Sequence, residues 1–174
     1  NTNFAIIRST WDYFDKIDEF SQWLMDIKDK LRLINSFNLI KWNLNKSYLI
    51  DFSKKKINIA NSIFVNRKNF TTLKTLFNQT NWDEAIIKPA ISGAAKNTFR
   101  INKLNCDDFE NIFRKLCDKE TMIFQIFLKS IMSFGEISLM IFGGEYSHSV
   151  RKIAKDGDFR VQDDHGGRVE KYVP

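Results

Sequence analysis

Apolar residues recur at Ile17, Phe20, Leu24, Ile27 and Leu31, at spacings of three and four, which puts them on one face of a helix. Asp18 and Glu19 stand in its first turn, where negative charge suits the helix dipole. Ahead of it, "FAIIRSTW" reads as a short buried strand with nothing before it to pair with, which suggests a chain that starts inside a larger protein. "LINSFNLIKWN" reads as a connection, and a short helix is predicted around "NKSYLIDF". Residues 57–65 look like two short strands broken at Asn61. Asn69 is placed to cap a helix whose inner face is Phe70, Leu73, Leu76 and Phe77.

Farther on, "EAIIK" and "NTFRINK" read as strand and return strand around a loop of small residues. Residues 106–117 predict a helix with Phe109, Ile112, Phe113 and Leu116 on one face. "TMIFQIFL" is a buried strand interrupted by Gln125, and "GEISLMIF" and "EYSHSVRKI" are strands joined at Gly143-Gly144, a hairpin signal. The tail "AKDGDFRVQDDHGGRVEKYVP" reads as loop. Hairpins mixed with helices, without strict βαβ alternation, favour an α+β fold over a doubly wound sheet.

Composition narrows the class. The chain has 174 residues, enough for one domain or two closely joined lobes, and 43% apolar content with 16 phenylalanines supplies a core. A net charge of +6 and a pI near 9.3 fit a nucleic acid, an acidic membrane surface or a polyanion such as a nucleotide. The charge is spread, however, with Lys54-Lys55-Lys56 its densest run, and most aromatics sit at core-facing positions. That disfavours a nucleic-acid surface, which needs clustered cations and exposed rings together. No apolar run approaches the ~18 residues of a membrane span, and no signal sequence opens the chain. Cys106 and Cys117 share one predicted helix and would stand ~16 Å apart, too far for a disulfide. Buried thiols fit a reducing, cytoplasmic setting. With 2 histidines and no Cys-x-x-Cys, a zinc site is disfavoured.

Three places carry candidate chemistry. Lys88 ends an apolar strand, and Pro89 keeps it extended. Ser92, Gly93, Ala94 and Ala95 then leave backbone N–H groups uncovered, as close approach to phosphate requires. Without a G-x-x-x-x-G-K-[ST] signature, a plain hairpin with a solvated lysine is the better reading of this stretch taken alone. The hairpin 136–153 places Tyr146, His148, Val150 and Lys152 on one face and Ser147, Ser149 and Arg151 on the other. With Lys155, Arg160 and Arg168 it makes either an anion clamp or an edge hairpin charged against aggregation. His148 alone is more in keeping with a structural role. Gln125, an amide in an apolar strand, needs a partner, either backbone or the edge of a ligand such as adenine.

Taken in order, "WNLNKSYL", "IIKP" with its small-residue loop, "FQIFL", "GEISLMIFGGEYSHSVRK" and "GDFRVQDDHGG" resemble the ATP-grasp superfamily. The likeness is to its glutathione synthetase and cycloserine-pathway branches, and "RSTWDY" resembles the latter. It covers essentially the whole chain. The resemblance implies an ATP-grasp fold, two α+β lobes with the nucleotide site between them. Residues 1–40 would end an N-terminal α/β domain, 41–127 form the central lid subdomain, and 128–174 begin the C-terminal one.

The same resemblance implies residue roles. Lys46 and Lys88 match the lysines that reach the nucleotide phosphates, and Ser92, Gly93, Ala94 and Ala95 match the loop that closes over them, with alanines where relatives are richer in glycine. Gln125, Ile126, Phe127 and Leu128 match the hinge that holds adenine through backbone groups, and Glu136 the acid on the ribose hydroxyls. Lys152, Arg160 and Gln162 match catalytic positions around the γ-phosphate and the acyl site. ATP and Mg2+ are the implied cofactors, with metal ligands on strands beyond the tail motif; Asp163 and Asp164 fall in the substrate loop and are not assigned to metal. The implied activity is ATP-dependent ligation of a small carboxylate to an amine or related nucleophile through an acyl phosphate. A non-catalytic nucleotide-binding or scaffold module of the same fold is the alternative. Nucleic-acid and membrane partners are not implied, and a homo-oligomer stays open.

Overall fold

The computed structural model describes residues 2–10, 12–69 and 71–174. Trp11 of "RSTWDY" and Phe70, expected on a helix face, lie outside the described residues. The chain forms two compact units, Asn1–Ile126 and Phe127–Pro174.

In the first unit, strand β1 (Phe4–Ile6) leads through helix α1 (Ile17–Ile27) to β2 (Arg32–Ile34), and the two strands pair in parallel. β1 therefore has a partner inside the stretch read as a connection. It is not buried: Phe4, Ile6 and Ile34 are all exposed. Helices α2 (Phe37–Asn43) and α3 (Tyr48–Lys54) follow. The Ser36 hydroxyl accepts from Leu39 N at 3.4 Å and caps α2. Trp42, Tyr48 and Phe52 pack ring against ring between α2 and α3.

The core of this unit is a four-stranded antiparallel sheet in the order β3-β6-β4-β5, with β3 Ser62–Val65, β4 Glu84–Pro89, β5 Phe99–Asn102 and β6 Met122–Ile126. Residues 57–61, expected to contain a first short strand, form none. Side chains alternate along these strands. One face, carrying Val65, Ile87, Ile101 and Phe124, is buried with α4 (Leu73–Thr80) and α5 (Cys106–Cys117). Phe77 meets Phe124 edge-on at 5.0 Å, and each such buried aromatic contributes about 1.5–3 kcal/mol. Thr72, not Asn69, caps α4, its hydroxyl accepting from Thr75 N at 3.1 Å; Asn69 instead accepts from Thr71 N. The opposite face carries Ser62, Lys88 and Gln125. Both cysteines lie buried and unbridged on α5, and burial raises the Cys117 thiol to about 11.

The second unit is a three-stranded antiparallel sheet, β7 (Glu136–Phe142), β8 (Glu145–Ile153) and β9 (Arg168–Tyr172), preceded by the short helix α6 (Ser130–Ser133). Gly143 and Gly144, at φ 60° and 91°, make the tight turn between β7 and β8. That is the pairing of positive φ values a two-residue hairpin favours. The tail is not all loop. β9 pairs with β8 through Arg151↔Glu170, and its charged residues hid the strand from an apolar-alternation reading. A register shift at Met140/Ile141 places Tyr146 opposite Ile141 and His148 opposite Met140. This bulge reverses the alternation. Tyr146 faces the same way as Ser149, with its hydroxyl 3.1 Å from the Ser149 hydroxyl, rather than with His148 as expected. No helix among the described residues is long and apolar enough to cross a membrane.

Candidate functional site

Sheet register sets the first cluster. Ser62 stands directly across from Gln125, and Lys88 pairs with Ile123, one diagonal step from Gln125 on the same face. Lys88 Nζ donates to Gln125 Oε1 at 2.8 Å, Gln125 Nε2 donates to Ser62 Oγ at 2.7 Å, and Ser62 Oγ donates to the Ala60 carbonyl at 2.8 Å. The partners of Gln125 are thus side chains, neither the backbone nor a ligand edge that the sequence suggested.

Lys46, between α2 and α3, joins the same neighbourhood. Its backbone N–H donates to Ala90 O at 2.9 Å, and Ala90 N donates to Thr121 O, so the chain before α3 is stitched to the end of β4. The Lys46 ammonium donates to Ser92 O at 2.7 Å and to Ser92 Oγ at 3.1 Å. Burial, and then the positive charge of Lys88, lowers the lysine to about 8, with Glu120 opposing. Glu120 is itself raised, chiefly by burial.

The loop after Ser92 is shaped by the chain before α1. A Cβ on Gly93 would come within 2.5 Å of the Phe14 ring, so any larger residue there requires the ring to shift. Lys96 pairs with Asp15 and lies over the Phe14 ring, 5.7 Å from its centre. Ala94, Ala95 and Asn97 hold φ of 48°, 54° and 52°. This is the left-handed region that costs a non-glycine residue about 1 kcal/mol or more. Within the loop, Lys96 N donates to Gly93 O, and Thr98 N donates to Ala95 O.

The remaining expected residues lie at the junction or in the second unit. The division between units falls between Ile126 and Phe127, inside the segment read as a hinge. Ile126 N donates to Asn61 O at 2.9 Å. Phe127 is buried and meets Phe159 edge-on, while Leu128 is exposed. Glu136 and Lys152 are cross-strand partners with Oε1 and Nζ 3.5 Å apart. Arg160 forks onto Asp158, Nε to Oδ1 at 3.0 Å and one terminal nitrogen to Oδ2 at 2.6 Å. Asp158 also accepts from the N–H groups of Phe159 and Arg160, and together these bonds hold its carboxyl well below the usual range. Gln162 has a buried Oε1 with no partner among the described residues. His148 is exposed, its Nδ1 3.1 Å from the Ser147 hydroxyl.

Sequence reasoning passed over Ser62, Glu120 and Asp158. Asp158 had a local signal, an aspartate two residues before an arginine in "GDFR". Ser62 had none until strand register was known. A further feature is a cavity of about 390 Å3 at the carboxyl ends of β1 and β2, lined by Arg8, Thr10, Tyr13, Asn35 and Asn43 over an apolar floor that includes Phe20. Among the described residues that line it, none is acidic. Among the described residues no cluster of three potential metal ligands is assembled.

Comparison with known proteins gives this fold a context. A family model described as the ATP-grasp domain of prokaryotic glutathione synthetase matches residues 46–173, and one for the N-terminal domain of D-cycloserine synthetase DcsG matches residues 1–35. Among curated proteins, the cycloserine biosynthesis protein DcsG of Streptomyces lavendulae is 24% identical over 164 residues, covering 90% of this chain and 55% of that protein. The crystal structure of D-cycloserine synthetase DcsG superposes with a TM-score of 0.84 at 21% identity, over 99% of this chain and 61% of that one. D-alanyl-alanine synthetase A from Vibrio cholerae superposes at 0.59 and 12% identity, over 96% and 51%. The ADP complex of purK, an N5-carboxyaminoimidazole ribonucleotide synthetase, does so at 0.56 and 14%, over 87% and 44%. This chain therefore spans little more than half the length of the curated relative it matches.

Proposed function

The chain belongs to the ATP-grasp domain family of prokaryotic glutathione synthetase, and from that premise we propose that it is the ATP-binding portion of a ligase. Such a ligase joins a small carboxylate to an amine, or to a related nucleophile. The observation that carries this reading is Lys46. A partly desolvated ammonium beside a second lysine is unfavourable in an empty site, and a polyanion relieves it. Lys46 and Lys88 would take the nucleotide phosphates, with the Ser92–Ala95 loop over them, Gln125–Leu128 along the base and Glu136 on the ribose. The purK neighbour was solved with ADP, which supports an adenine nucleotide here.

In this reading a substrate carboxylate oxygen attacks the γ-phosphorus as the bond to ADP breaks. The amine nitrogen then attacks the acyl carbon, phosphate leaves and the amine gives up a proton. Lys152, Arg160 and Gln162 would meet the charge that gathers on the transferring group, where fixed cations and dipoles supply most of the catalysis. Mg2+ accompanies the triphosphate in this reading, and its ligands are assigned to no residue of this chain. The cavity at Arg8 offers a carboxylate a guanidinium without a competing acid.

A non-catalytic nucleotide-binding module is the second reading, favoured by Ala94 and Ala95 in left-handed conformations where relatives are richer in glycine. ADP release by the intact protein, assayed across a panel of carboxylates and amines with Mg2+ and ATP, separates the two. Release that requires one acid and one amine supports the ligase, and none across the panel supports the module.

A further inference from the structure

We propose that Ser62 is a positioning residue for Lys88, acting through the Gln125 side chain. What Lys88 touches rests on the nucleotide reading; the relay does not. The donors and acceptors along it have one consistent direction. An ammonium only donates, so the atom of Gln125 facing Lys88 is the carbonyl oxygen Oε1. The amide nitrogen then faces Ser62, whose oxygen accepts from it while its own proton goes to the Ala60 carbonyl. Remove the Ser62 hydroxyl and the Gln125 amide nitrogen loses its acceptor, leaving the Lys88 ammonium alone to hold the amide in this orientation. A flipped amide would turn its N–H groups toward an ammonium and expel it.

Ser62 lies on β3, the edge strand of its sheet, directly across from Gln125. The relay therefore runs laterally across three neighbouring strands, from β3 through β6 to β4, on the face opposite the helices. An ammonium has three N–H donors, so Lys88 can keep Gln125 and still donate to a phosphate oxygen. The relay thus aims the lysine without competing with the ligand. Both ends of the Gln125 side chain are engaged by protein, which leaves base recognition to the backbone of the following segment.

The test compares wild type, Ser62→Ala and Ser62→Thr, with Gln125→Met cutting the relay from its other end should Ser62→Ala not fold. Without nucleotide, the Gln125 side-chain NH2 is followed by NMR hydrogen exchange, and acetylation of Lys88 relative to Lys46 by mass spectrometry. Slow exchange in wild type and Ser62→Thr, with faster exchange and several-fold faster Lys88 labelling in Ser62→Ala, is the expected result. Mg-ATP affinity by calorimetry should fall roughly three- to tenfold in Ser62→Ala, as for a lysine that must be ordered on binding, and recover in Ser62→Thr. Unchanged exchange and labelling in Ser62→Ala, even with a lowered melting temperature, would mean a merely structural serine and overturn the proposal. Wild-type protein that binds no ATP would defeat the nucleotide reading, while exchange and labelling would still decide the relay.

Discussion

Lys46 and Ser92 lie 46 positions apart in sequence, yet the lysine ammonium donates to both the carbonyl and the hydroxyl oxygen of that one serine. The contact ties the segment before α3 to Ser92, three residues past the end of β4, and it holds a partly buried cation that forms no ion pair among the described residues. An electrostatic cost of this kind makes a testable trade-off between stability and binding.

Lys46→Met should raise the melting temperature at neutral pH and lower affinity for Mg-ATP by at least tenfold, about 1.4 kcal/mol. The sign of its pH dependence follows from linkage. Lys46 titrates at about 8 in the folded chain and at 10.5 unperturbed. Between those values the unfolded state holds the extra proton, so wild-type stability rises with pH across that window. The advantage of Lys46→Met should therefore shrink from pH 8 toward pH 10.5, as thermal melts in a pH series would show. An advantage that grows with pH would contradict the assignment.

Asp158→Asn should release the Arg160 guanidinium while leaving the three-stranded sheet folded. If the ligase reading holds, the expected outcome is a large fall in kcat for the intact protein with little change in melting temperature. The depressed Asp158 carboxyl contributes stability above its unfolded value, near 3.9, and loses it as pH falls through the lower folded value. The small stability gap between wild type and Asp158→Asn should thus close only below about pH 4, in acid-unfolding curves.

Alanine-to-glycine changes ordinarily destabilise, by about 0.5–1 kcal/mol. Ala94→Gly and Ala95→Gly should not, because both alanines already hold positive φ. Ala90→Gly, in ordinary backbone, is the control. Equal destabilisation in all three denaturant titrations would mean that the loop conformation is wrong.

The cavity at Arg8 yields a kinetic prediction. Arg8→Ala should raise KM for the carboxylate substrate roughly tenfold, the loss of a charge-assisted hydrogen bond, with KM for ATP unchanged. A fall in kcat alone would place Arg8 elsewhere in the cycle.

Helix α5 was legible to its ends, since Phe109, Ile112, Phe113 and Leu116 form an uninterrupted face. The β4–β5 and β7–β8 hairpins were equally clear from apolar runs around small residues. β2 and β9 were not. β2 is three residues long, and β9 gains its place by pairing Glu170 with Arg151 across the sheet rather than by burying an apolar stripe. The site divided along the same line. Lys46 and Lys88 were candidates from sequence, but Gln125, set apart only as a polar residue in an apolar strand, took Lys88 and Ser62 as partners because three strands happen to be in register. Register is a tertiary property, and neither composition nor spacing encodes it locally. The bulge that turns Tyr146 toward Ser149 was hidden for the same reason.

Contact between Lys88 and nucleotide phosphate is read out by thermal stabilisation of the intact protein by Mg-ATP. At ATP one hundred times its Kd, wild type should gain about 2.7 kcal/mol of stability, a shift of several degrees. Lys88→Ala should lose most of that gain at the same ATP concentration. A mutant stabilised as much as wild type would contradict the account.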